Sequence, residues 1–210
     1  MRMLDLAWGL FIAASLLVIV TPGQDMVLVM SRSIAQGAAA GVATAAGVSV
    51  GLVGHTLLAT LGLGAILRTS EWLFVALKFA GAAYLVWMGL GLLRTRDATL
   101  ALATQSRASL RRLFTDGALS NLSNPKIAIF YFAFLPQFVP SGAGQPALAV
   151  FVLGLVFAAL TFVIKGPVGW GAGRLSGWLR ARPAVLRWIF RGSGAMLAAL
   201  GLRLAFERRG

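Results

Sequence analysis

Residues 15–30 read SLLVIVTPGQDMVLVM, and this stretch decides the architecture. Apolar residues run to Val20, stop at Thr21-Pro22-Gly23-Gln24-Asp25, and resume at Met26. Taken outward to 6–31, the segment is long enough to cross a hydrocarbon core of about 30 Å at about 1.5 Å per residue. Proline lacks a backbone donor, so the middle of this span is a helix break. Arg2 followed by the apolar stretch Trp8 to Val20 superficially resembles a signal peptide. However, Thr21-Pro22-Gly23-Gln24 stands where a small-residue cleavage site belongs, and hydrophobicity then continues. The stretch reads as a retained, interrupted first span.

Five further apolar segments follow at roughly 40–67, 72–93, 113–138, 147–173 and 185–206. The 210-residue chain is 59% hydrophobic and only 12% charged, with a mean hydropathy of +0.84. A soluble domain carries about 25% charged residues, so lipid is the solvent for most of this surface. Backbone groups in lipid are satisfied only in helices or closed barrels, and these runs are too long and non-alternating for barrel strands. The expectation is an all-α polytopic membrane protein with six transmembrane helices, residues 1–210 forming one transmembrane domain.

The formal charge of +13 does not indicate nucleic acid, because no aromatic-interleaved basic patch accompanies it. The basic residues sit in short loops instead. Arg32 lies in 32–39, Arg94, Arg96, Arg107, Arg111 and Arg112 in 94–112, and Arg174, Arg180, Arg182 and Arg187 in 174–187. The opposite face holds Arg2, Arg68 and the uncharged Pro140 to Pro146 loop, with Asp5 and Glu71 nearby. The positive-inside rule therefore places the three arginine-bearing loops in the cytoplasm and both termini outside. Arg208 and Arg209 argue the other way and are outvoted. No cysteine exists, which excludes disulfides and thiolate metal sites, and a single histidine, His55, leaves little for a metal cage. No cofactor is implied.

The chain also repeats itself. Leu85, Gly89 and Leu90 in Gly81–Leu90 match Leu197, Gly201 and Leu202 in Ser193–Leu202. Spans one and four are both interrupted midway, by Thr21-Pro22-Gly23 and by Asn124-Pro125-Lys126. The expected organisation is repeat one at 1–93, a basic cytoplasmic linker at 94–112, and repeat two at 113–210. Three spans per copy invert the second copy, and inverted repeats with matching broken helices point to a secondary transporter with a midplane site.

These stretches carry a resemblance. Thr21-Pro22-Gly23-Gln24-Asp25, the run from Gln36-Gly37 through Gly41, Gly47, Gly51 and His55, and Asn124-Pro125-Lys126 followed by Phe130-Tyr131-Phe132-Ala133-Phe134-Leu135-Pro136-Gln137-Phe138 stand in order. With the ending Gly201-Leu202-Arg203-Leu204, the chain resembles, over nearly its whole length, the lysine-exporter and threonine-resistance (LysE/RhtB) amino-acid exporters. The resemblance implies export of an amino acid or derivative across a bacterial cytoplasmic (inner) membrane, driven by the proton-motive force. The expected partners are thus an amino-acid-like solute, protons and membrane lipid. One departure is Gln24, where the family commonly has a second proline. It places a polar amide beside the break.

The candidate binding and coupling residues are Pro22, Gly23, Gln24, Asp25, His55, Asn121, Asn124, Pro125 and Lys126. A carboxylate at the depth of Asp25 costs about 2.5–3.5 kcal/mol on insertion scales, so it faces protein or water. Its functional reading is a partner for a substrate ammonium, exchanged for a proton. The structural reading is a first-turn acid on the restarting helix. Pro22 and Pro125 open polar backbone, and the half-helix N-termini beyond them suit a substrate carboxylate. Lys126 either adds positive charge there or ion-pairs with Asp25. Asp116, Ser120 and Asn124 share one face of span four, with Asn121 a turn away. Such a stripe lines a water path or supplies interhelical hydrogen bonds of about 0.6 kcal/mol each. Asp116 itself reads as a first-turn acid. His55 is either a proton relay or a buried histidine that satisfies a neighbouring helix.

Lys78 and Lys165 read as snorkelling residues, with a gate contact open for Lys165, and Lys165-Gly166-Pro167 as a break in span five. Gly37/Gly41, Gly47/Gly51 and Gly169/Gly173 suit close helix approach, within the bundle or in a homodimer. Trp8, Trp72, Trp170 and Trp178 read as interfacial belt residues. The alternatives are export of another small metabolite or a cation, or a non-transport scaffold. An enzyme is disfavoured, since no nucleophile, acid pair or cofactor fingerprint accompanies His55.

Overall fold

A computed structural model describes residues 8–21, 23–69, 71–94, 107–139 and 143–206. Every regular element among them is helical: α1 (Trp8–Val20), α2 (Gln24–Gln36), α3 (Ala38–Thr69), α4 (Glu71–Arg94), α5 (Leu110–Leu122), α6 (Pro125–Phe134), a 3-10 turn (Leu135–Phe138), α7 (Pro146–Arg180) and α8 (Pro183–Phe206). The apolar segments map onto these in order, with the first covered by α1 and α2 and the fourth by α5, α6 and the 3-10 turn. Over Ala38–Gly62 and Pro146–Ala172, α3 and α7 are long and apolar enough to cross a membrane. The α1–α2 pair, bent by 53° at its break, makes a third candidate span. The fold is thus all-α and of multi-pass membrane type.

Both breaks fall where the sequence places them. Helix α1 closes with Thr21, whose hydroxyl and N–H both donate to the Leu17 carbonyl, and Gly23 opens α2 in an extended conformation. Pro22 lies outside the described residues. Ser123 and Asn124 separate α5 from α6, and Pro125 takes the first helical position, where its missing N–H costs nothing. Gly37 turns α2 into α3 at φ 95°, a conformation that disfavours any side chain, and its N–H caps the Ser33 carbonyl. The third break does not occur. Helix α7 runs unbroken through Pro167, as packed transmembrane helices allow when neighbours re-satisfy the freed backbone.

Glycines set the seams. In α3, Gly41 abuts Gly169 of α7, and Thr56 packs on Gly154. A methyl at Gly41 would lie 2.5 Å from the Gly169 carbonyl oxygen. Gly47 and Gly51 receive α5, while Gly89 of α4 meets Gly194 and Ala198 of α8. Gly201 of α8 in turn meets Ala82 and Val86. These glycines therefore line seams within the bundle, whereas Gly37 meets no neighbouring helix. An aromatic cluster of Phe11, Phe130, Tyr131, Phe134, Phe138 and Phe157 fills the space among α1, α6, the 3-10 turn and α7. Leu61, Val163, Trp170 and Trp188 stay exposed, apolar groups whose neighbours in a bilayer are lipid tails. Trp72 and Trp178 are exposed as well, whereas Trp8 is half-buried against Phe11.

Candidate functional site

Asp25 sits in the first turn of α2, 4% exposed, yet it does not cap its helix. Its Oδ2 accepts a hydrogen bond from Asn121 Nδ2 of α5 at 2.8 Å and meets Lys165 Nζ of α7 at 3.4 Å. Three elements remote in sequence thus converge on one carboxylate. Its other oxygen, Oδ1, is buried and has no partner among the described residues. Removing a carboxylate from water without full compensation is costly, so this oxygen is an acceptor awaiting a donor.

A cavity opens beside it, lined by Thr21, Gly23, Gln24, Asp25, Asn124 and Lys165, with Leu52, Phe157 and Thr161 completing the wall. It brings the N-terminal ends of both restarting helices, α2 at Gly23–Asp25 and α6 at Asn124–Ile127, to one space. Helix N-termini carry partial positive charge and exposed N–H groups. The polar wall therefore holds an anionic oxygen, an ammonium and two positive dipole ends. The inner space is narrow, with room for about one water molecule.

Other expected residues take definite places. His55 is 2% exposed, and its Nε2 lies 3.1 Å from the Asn121 carbonyl oxygen. It satisfies a neighbouring helix at the α5 end, one residue removed from Asp25 through Asn121. Its Nδ1 is buried without a partner among the described residues, and its ring lies tilted against Tyr131. Gln24 donates to the Ser120 hydroxyl, and Asp116 pairs with Arg32 at 3.0 Å. Asp116 sits mid-helix in α5, not in the first turn expected of it, because α5 begins at Leu110. Asp116, Ser120 and Asn121 each bond a residue of α2, so the polar face of span four is a helix seam as far as Asn121 and becomes cavity wall only at Asn124.

The ammonium that meets Asp25 belongs to Lys165. The side chains of Pro125, Lys126 and Lys78 lie outside the described ones. Lys165 does not snorkel: it is 6% exposed and turned to the carboxylate. Sequence reasoning overlooked it as a site residue because its neighbours, Gly166 and Pro167, drew attention as a helix break. Thr161, one turn before it, also escaped notice. Among the described residues no three His, Cys, Asp or Glu side chains gather as a metal site.

A bundle of broken apolar helices around an intramembrane carboxylate is the architecture of a translocator. The LysE type translocator family matches residues 16–208, and the chain belongs to it. It is a multi-pass membrane protein of translocator type. Among its relatives is a homoserine/homoserine lactone efflux protein of Salmonella typhimurium, 34% identical over 206 residues, covering 96% of this chain and 97% of that one. An uncharacterized membrane protein of Pseudomonas aeruginosa is 30% identical over 200 residues, 93% of each chain. A leucine efflux protein of Klebsiella pneumoniae is 32% identical over 157 residues, 72% of each chain. No solved structure matches the chain.

Proposed function

We propose that the protein is a proton-coupled antiporter that exports a small neutral amino acid or close derivative, homoserine and leucine being the first candidates. The carrying observation is Asp25: a buried carboxylate at a helix break, lining the cavity, with one oxygen unpartnered. A carboxylate so placed binds either a substrate ammonium or a proton, and the exchange of one for the other couples the two fluxes. The N-terminal ends of α2 and α6 offer N–H groups to the substrate carboxylate. Pro22, Gly23 and Pro125 create those ends, Gln24 and Asn124 line the cavity, and Asn121 aims the carboxylate. His55 holds Asn121 at the α5 terminus and is the nearest titratable ring for proton transfer.

The same reading assigns six spans in two inverted repeats, both termini outside. The support for the repeats lies in two seams. One register shift carries Gly89 onto Gly201, Ala82 onto Gly194 and Val86 onto Ala198, so the α4–α8 contacts map onto themselves. A nearly identical shift carries Gly41 onto Gly154 and Thr56 onto Gly169, mapping the α3–α7 contacts likewise. Antiparallel packing alone makes each seam reciprocal; what supports the repeats is that the two shifts nearly coincide. Supporting the topology, Gln36 accepts from the Ala108 N–H and Arg32 pairs with Asp116, which keeps the first two basic loops at one end of the bundle.

The test is uptake of labelled homoserine, leucine and other amino acids into energised everted membrane vesicles, with and without a protonophore. Protonophore-sensitive accumulation, lost in Asp25→Asn when transport is normalised to the amount of inserted protein, is the expected result. Full coupled export by Asp25→Asn would remove the coupling role.

A further inference from the structure

The Asp25–Lys165 pair has an unusual form for two charges so deeply buried. Both side chains are under a tenth exposed, yet they meet through one contact of 3.4 Å, at the long end for an ion pair. Oδ2 takes both Lys165 and Asn121, while Oδ1 takes no partner among the described residues. An ammonium has three N–H donors, and Lys165 gives one described hydrogen bond, to Asp25. Both residues line the same cavity, whereas Asn121 does not. A pair built only to hold helices together would close on itself with both oxygens engaged. This one leaves an open acceptor and open donors side by side.

We infer that Asp25 and Lys165 together form a receptor for a zwitterion, with the substrate α-ammonium on Asp25 Oδ1 and its α-carboxylate on Lys165 Nζ. The inference rests on the reading of Asp25 as the ammonium site and adds the residue that selects the substrate class. In an α-amino acid the two charged groups share one carbon, so adjacent opposite charges on the protein meet both at once. A zwitterion leaves the pocket neutral. A monocation, such as an amide lacking the carboxylate, would put two positive groups beside one carboxylate and leave the further donors of Lys165 without an anionic acceptor. In a dry site such mismatches are discriminated strongly, because buried polar groups are left unpaired. The pair thus favours an α-amino acid with both backbone charges and an uncharged side chain over a derivative that lacks the carboxylate, such as an amide or a lactone. Thr161, one turn from Lys165, also lines the cavity.

The experiment is calorimetric binding to the detergent-purified protein. The ligands are L-amino acids with uncharged side chains, each paired with its α-amide, at about pH 6, where their amines are protonated. The expected result is that the amide of any amino acid that binds the wild type binds at least about tenfold more weakly. In Lys165→Gln that gap closes to about threefold or reverses, and in Lys165→Arg, which keeps the charge, it persists. Amides that match their parent acids on the wild type overturn the inference, and that comparison needs no variant. An unchanged gap in a folded Lys165→Gln also overturns it, while leaving Asp25 as the ammonium site if export of the acid still depends on Asp25. Binding of no amino acid at all removes the Asp25 reading and this inference with it.

Discussion

Breaking the Asp25–Lys165 pair one partner at a time should destabilise the protein, and removing both should not. The two charges are 3.4 Å apart and nearly inaccessible. Deleting one partner of a buried pair costs about 3–5 kcal/mol, since the other charge is left uncompensated. The long single contact argues for the lower end, about 3 kcal/mol. The two single variants should also differ. In Lys165→Gln the carboxylate keeps the Asn121 hydrogen bond, whereas in Asp25→Asn the ammonium loses its described anion, so the second loss is the larger. The double variant, with no buried charge left, returns to within about 1 kcal/mol of wild type or exceeds it, because desolvation of both ions is also removed. At about 2–4 °C per kcal/mol for a chain of this size, each single variant melts roughly 6–12 °C lower. Melting of purified protein in one detergent, followed by intrinsic tryptophan fluorescence, gives all four corners of the cycle. Additive losses in the double variant would refute the claim that these groups compensate one another.

Reciprocal seams make a second prediction: Gly89→Val and Gly201→Val should both lower the melting temperature, by similar amounts, since each forces a side chain against the backbone of the facing helix. Gly37→Ala should cost about 1–3 kcal/mol in the same assay, although a methyl there meets no neighbour, because φ 95° is itself the penalty. Loss of the Tyr131 hydroxyl in Tyr131→Phe should cost about 1 kcal/mol through its contacts with Thr56 and the Gly154 carbonyl, with export retained. For topology, the cysteine-free chain permits single reporters. In whole cells an impermeant maleimide should label Gln145→Cys and not Arg107→Cys, and the reverse pattern would invert the orientation.

The all-α class, the order of the apolar segments and both central breaks were legible in the chain. Lipid imposes a minimum helix length that hydropathy records, and proline and glycine act on the backbone locally, so Thr21-Pro22-Gly23 and Asn124-Pro125 needed no tertiary context. Asp25 stood out for the same kind of reason, because a carboxylate at that depth is too costly to be idle. Pro167 shows the limit of local rules: it lies within a continuous helix, and only packing around α7 decides that. Asp116 shows another, since its role depends on where α5 starts and on Arg32 standing opposite.

What the sequence could not decide is which way each apolar helix faces. In a soluble protein the polar stripe of a helix marks its outer side. In a membrane, lipid tails are as apolar as leucine, so hydropathy says little about rotation. The rotation of α7 that turns Lys165 onto Asp25, and of α5 that turns Asn121 there while Asn124 lines the cavity, follows from glycine contacts between helices far apart in sequence. The sequence by itself determined that this is a broken-helix membrane bundle with one costly acid. Only the tertiary structure decided which cation and which amide that acid would meet.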